Sequence, residues 1–129
     1  MEPGDPSNRT ASKAESQLRK GVLEYCVLAL MRDGARYGVE LLRELEETGA
    51  LATSQGTVYP LLSRLRRDRL VDTTWQESAS GPPRRYYELT EAGRAALAEF
   101  TGTWPVFRDA VDHLLAPKAQ PQAAGETGR

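Results

Sequence analysis

Six apolar residues near the C-terminus constrain this chain most. Leu97, Phe100, Trp104, Phe107, Val111 and Leu114 follow one another at spacings of 3, 4, 3, 4 and 3. That is the a/d pattern of a heptad seam, and a seam on one helix has to be covered by a second helix. Thr90 is a good N-cap and Glu91 suits the positive end of the helix dipole, so the spacing predicts a helix over 91–116. Those six residues are the expected dimer interface, with a second copy of the chain as partner. Pro105, directly after Trp104, predicts a kink beside the seam.

Upstream, three shorter helical periods precede an alternating region. Leu23, Cys26, Val27, Leu30 and Met31 share one helix face, and Gly34 is placed to close that helix near Asp33. Val39, Leu41, Leu42 and Leu45 give a second helix over about 38–47, stopped by Thr48-Gly49. Val58, Leu61, Leu62 and Leu65 give a third over about 54–67, whose opposite face carries Tyr59, Pro60, Ser63, Arg64 and Arg67. A proline at position 60 loses a backbone hydrogen bond, so either regular helix begins near Tyr59 or the first turn is distorted.

Val71, Thr73 and Trp75 then alternate with polar residues, as do Tyr87 and Leu89 with Tyr86 and Glu88. These are two half-buried strands, with Ser78–Pro83 as the turn or loop of a hairpin. The order is helix, helix, helix, hairpin, long helix. The predicted fold is mainly α with a small β-hairpin wing: a winged helix-turn-helix domain over 12–90 and a long C-terminal dimerisation helix over 91–116. Residues 1–11 and 117–129, rich in Pro, Gly, Ser, Gln and Ala, read as disordered tails.

Composition removes several classes of function. With one cysteine, Cys26, and one histidine, His113, a protomer can form neither an internal disulfide nor a Cys/His metal cluster. Cys26 lies on an apolar stripe and reads as a small core residue rather than a redox sensor. No glycine-rich phosphate loop, nucleophile signature or spaced ligand set is present, so neither an enzyme nor a cofactor or metal is expected. The apolar stretches are too short to span a bilayer and the N-terminus lacks a signal-peptide core, so a cytoplasmic location is the default.

The formal net charge is only −1, but its distribution is uneven. From Ser54 to Arg69 there are four arginines against one acid, a net +3; from Glu40 to Glu47 four glutamates face one arginine, a net −3. The positive charge sits on the third helix, whose exposed hydroxyls and guanidinium groups suit phosphates and base edges in a major groove.

Several runs together resemble the PadR family of bacterial transcriptional regulators, in its short form with a single C-terminal helix. They are Arg19-Lys20-Gly21-Val22-Leu23, Tyr37-Gly38-Val39-Glu40-Leu41, the GT-x-YPLL-x-RL run from Gly56 to Leu65, Trp75, and Arg85-Tyr86-Tyr87-Glu88-Leu89-Thr90 with Gly93. The resemblance implies a homodimer on an inverted-repeat operator in double-stranded DNA, repressing a neighbouring gene or its own. It points to Thr57, Tyr59 and Pro60 at the DNA surface, with Ser63, Arg64 and Arg67 beside them, and to Lys20 as a phosphate contact. Arg84 and Arg85, flanking the wing, would meet the backbone or minor groove. Tyr37 is expected to pack its ring on the core and leave its hydroxyl to a phosphate.

Trp104 has two readings. It is either plain seam, or, with Phe100 and Phe107, it lines a cleft between protomers for a small planar aromatic effector, as a tryptophan of the family's last helix does. Arg69 departs from the family, which commonly has glycine there. Either the arginine bears about 1 kcal/mol of left-handed backbone cost, or the helix ends differently. The competing class is a winged-helix protein-interaction module without a DNA target, against which the arginine-rich third-helix face speaks.

Overall fold

The computed structural model describes residues 12–118. The elements are α1 (Lys13–Leu30), β1 (Arg36–Tyr37), α2 (Gly38–Thr48), α3 (Gln55–Arg67), β2 (Val71–Ser78), β3 (Gly81–Leu89) and α4 (Glu91–Leu115). The predicted order holds, with one strand added. A first unit ends at Ala98 and a second begins at Glu99.

α1 starts well before its apolar stripe because Ser12 and Glu15 form a reciprocal capping box, each side chain bonding the other's backbone N–H at 3.0 and 3.2 Å. Lys20 therefore lies two turns inside the helix. Leu23, Val27, Leu28 and Met31 of the first helix meet Leu41 and Leu45 of α2 and Val58, Leu61, Leu62 and Leu65 of α3 in one core. Val71, Tyr87 and Leu89 close it from the sheet. Cys26 is only half-buried at its edge.

Pro60 does not delay α3. The helix begins at Gln55, and Thr57 and Val58 both donate to the Ser54 carbonyl at 3.0 Å, a shared bond that tightens the first turn. The missing rung belongs to Pro60 and the carbonyl of Gly56, on the exposed side of the helix where water can reach it.

At the other end Arg69 does adopt the left-handed conformation, φ 64°. Arg69 N–H donates to Arg66 O at 3.0 Å and Leu70 N–H to Leu65 O at 2.9 Å. Those two bonds are a Schellman motif, so α3 ends as a glycine-terminated helix would, with arginine carrying the backbone cost.

The sheet is three-stranded and antiparallel, in the order β1-β3-β2. β1 is too short to show a period and was not expected; it pairs Arg36 with Tyr87 and Tyr37 with Tyr86. The wing turn is shorter than the 78–83 loop predicted, because Ser78 pairs with Gly81 and Pro82 and Pro83 lie on β3. β1 does not reach them, so there β3 has a free edge, where prolines are tolerated. Trp75 is also not half-buried: it is 63% exposed, because β2 runs beyond the core after Thr73.

The first turns of α4 belong to the first unit, so that unit passes the boundary expected at Thr90. Leu97 is 7% exposed and lies in the core of its own chain, which removes it from the predicted dimer seam. Gly93 packs so closely that a Cβ there would run into the Leu70 carbonyl oxygen. The Thr90 N–H donates to that same oxygen at 3.1 Å, and the Thr90 hydroxyl accepts from Gly93 N–H at 3.0 Å as the predicted N-cap.

In the second unit α4 continues through Pro105 to Leu115, so the proline does not end the helix. Trp104, Val106, Phe107, Val111, Leu114 and Leu115 are exposed there, and Phe100 stacks on Trp104 with ring centres 6.0 Å apart. The predicted tails, 1–11 and 117–129, lie outside the described residues except for Pro117 and Lys118. Among the described helices none is long and apolar enough to cross a membrane.

Candidate nucleic-acid interface

α3 is amphipathic with a polar outer face. Burying Val58, Leu61, Leu62 and Leu65 leaves Thr57, Tyr59, Pro60, Ser63 and Arg67 exposed and Arg64 half-exposed. Arg64, Arg66 and Arg67 lie in the last turn, where the negative end of the helix dipole favours cations.

That outer face meets α1 across an open cleft of about 750 Å³. Thr57, Pro60, Ser63, Arg64 and Arg67 line it from α3, and Ser16, Arg19, Lys20, Leu23 and Glu24 from α1. Six of the predicted DNA contacts therefore converge on one surface, including Lys20 from a different helix. Sequence reasoning missed Ser16, Arg19, Glu24 and Thr53. The first three stand with Lys20 and Leu23 at i, i+3, i+4, i+7 and i+8, a second face of α1 that the period itself could have exposed.

Charge in the cleft is lopsided: Arg19, Lys20, Arg64 and Arg67 surround a single acid, Glu24. Arg19 is anchored through Nε to the Ala50 carbonyl at 3.1 Å. Arg64 is held more firmly than an exposed helix face suggests. Its Nη2 donates to Glu24 Oε1 at 3.0 Å, and its Nη1 lies 3.9 Å from Asp68 Oδ2. Lys20 and Arg67 are exposed.

Tyr59 projects from α3 onto the first turn of α2, its ring seated directly over Gly38. A side chain at position 38 would occupy the space of the phenol. Only glycine lets the α3 tyrosine lie there, and that gives the Tyr37-Gly38 pair a purpose beyond starting α2. Tyr37 corrects its own prediction. Its ring packs on the wing instead of the core, edge-on to Tyr86 at 5.3 Å and beneath the Arg84 guanidinium at 4.4 Å.

Arg84 and Arg85 do not act as a pair. Strand alternation puts their side chains on opposite faces of the wing. Arg84 is exposed on the Tyr37–Tyr86 face. Arg85 lies 4.9 Å over the Trp75 ring, half-buried, with its Nε buried and without a hydrogen-bond partner. Its first contact is the protein, so Arg84 is the better placed of the two for a phosphate.

The predicted dimer and effector residues Phe100, Trp104, Phe107, Val111 and Leu114 lie together on the second unit's helix. Among the described residues no group of three His, Cys, Asp or Glu is placed to hold a metal ion. Burial pushes the Cys26 thiol up from its ordinary range and keeps it protonated.

Comparison with known proteins agrees with this geometry. Residues 27–99 match the model of the "Transcriptional regulator PadR-like family". A PadR-like transcriptional regulator from Bacillus cereus is 37% identical and superposes with a TM-score of 0.72, over 79% of this chain and 99% of its own. A PadR-like transcription factor from Bacteroides fragilis is 40% identical, with a TM-score of 0.65 over 80% of this chain and 99% of its own. The transcriptional regulator Rv3488 of Mycobacterium tuberculosis is 36% identical over 83 residues, which is 64% of this chain and 76% of that protein. This chain belongs to the PadR-like family of transcriptional regulators.

Proposed function

We propose that the protein is a homodimeric repressor that binds an inverted-repeat operator through α3, with a planar aromatic effector releasing it. The observation that carries the DNA reading is the convergence of Lys20, Thr57, Pro60, Ser63 and Arg67 on one basic cleft, with Tyr59 and Arg84 as further exposed groups of the same unit. Hydroxyls and cations in that mixture suit a phosphate track beside base edges. A dimer is supported by the exposed Trp104, Phe107, Val111 and Leu114, an apolar stripe too long to leave in water. Two-fold pairing would place two copies of α3 in successive major grooves, which is why the operator should be an inverted repeat.

Effector binding is supported by the stacked Phe100–Trp104 pair, with Trp104 still 41% exposed. A flat ring could continue that stack near the two-fold axis and change the spacing of the recognition helices. Selection of duplexes from a random library, followed by footprinting, tests the operator. A two-fold-symmetric consensus protected by a dimer is expected; failure to enrich any sequence overturns the reading. For the effector, a Trp75→Phe background leaves Trp104 as the fluorophore, and planar compounds should quench it while lowering DNA affinity.

A further inference from the structure

We infer that Glu24 is a specificity-determining residue: it holds the Arg64 guanidinium against α1 and so keeps it off non-specific phosphates. This rests on the DNA-binding reading of the α1–α3 cleft. Glu24 is the only acid lining a cleft that also holds Arg19, Lys20, Arg64 and Arg67. A carboxylate there repels DNA, so it needs a reason to be present.

Its geometry supplies one. Glu24 Oε1 takes the Arg64 Nη2 at 3.0 Å, and the carboxylate is the less exposed partner, 25% against 43%. Asp68 holds the other branch of the fork only at 3.9 Å. Charge-assisted bonding to a half-buried carboxylate fixes the direction of a side chain that otherwise has many rotamers. A free arginine at this place would follow any phosphate, whatever the sequence. Tied to Glu24, it gives that up, and Arg64 can meet only a group that approaches the fixed guanidinium in one geometry. Non-specific affinity falls while operator affinity is largely kept, and the ratio of the two is what a genome-searching protein needs.

The test compares random duplex DNA with the duplex selected from a library, over a range of salt. Glu24→Gln should tighten random-duplex binding roughly tenfold near physiological salt and steepen its log–log salt slope by about 2 per dimer, one extra phosphate per protomer. Operator affinity should change less than about threefold, so discrimination collapses. Asp68→Asn removes the same charge from the end of α3 and should do far less. In an Arg64→Gln background the Glu24→Gln effect on random DNA should nearly vanish, as it must if Glu24 acts through Arg64.

A gain of equal size at both duplexes, or one that persists without Arg64, would show a plain charge effect and overturn the inference alone. If the wild type enriches no sequence, the DNA reading falls and this inference with it.

Discussion

Replacing Arg69 with glycine should stabilise the protein. Arg69 closes α3 at φ 64°, and both bonds of the Schellman motif depend on that conformation. A residue with a Cβ bears about 1–2 kcal/mol in the left-handed region. Glycine escapes that but loses about 0.4–1 kcal/mol through the greater freedom of the unfolded chain. The net gain is about 0.5–1 kcal/mol, since the backbone bonds are untouched and the Arg69 side chain is exposed. For a domain of this size that corresponds to a rise in Tm of roughly 2–5 °C.

Arg69→Ala keeps the Cβ and should leave Tm near the wild-type value, and Arg69→Asn should fall between. Thermal unfolding followed by circular dichroism is the assay, at one fixed protein concentration because self-association, where it occurs, couples to unfolding. If the glycine variant is no more stable than the alanine variant, the left-handed conformation costs nothing there and the reasoning fails.

Gly93→Ala should destabilise by about 2–3 kcal/mol, visible in urea titration, because its Cβ meets the fixed Leu70 carbonyl rather than a side chain that can move. Gly38→Ala meets the movable Tyr59 ring first, so Tm should change much less than for Gly93→Ala while operator affinity drops by about fivefold or more; a stable variant with intact binding would detach Tyr59 from recognition. Cys26 should react with iodoacetamide at pH 8 at least about tenfold more slowly in the native protein than in urea, since burial keeps its thiol protonated. The same raised thiol makes a stability contribution that is present below the ordinary thiol pKa and lost as pH rises through the folded value.

Periodicity located α1, α2 and α3 because each buries one stripe, and α4 because its apolar residues keep a heptad spacing although most of them are exposed in the single chain. What it could not supply were contacts set by neighbours in space. Leu97 fits the heptad spacing as well as Trp104 does, yet the core of the first unit claims it. Tyr37 carries no local sign that it lies in a strand; β1 exists only because β3 offers it an edge. Arg64 looked like a free cation because Glu24, its partner, is 40 residues away. Strand alternation alone puts the adjacent Arg84 and Arg85 on opposite faces, but their ring partners, Tyr37 and Trp75, come from other strands and show only in the fold.

The most direct test of the central claim is fluorescence anisotropy of the protein on its selected duplex across salt, with wild type beside Tyr59→Ala and Arg67→Ala. Lys20, Arg67 and Arg84 from each protomer give about six phosphate contacts, so log K should fall with log salt at a slope near −5. Both substitutions should weaken binding more than about tenfold, with the salt slope flattened only by loss of Arg67. Binding that shows no preference over random duplex, and that neither substitution disturbs, would contradict the assignment of the α1–α3 cleft as the DNA-reading surface.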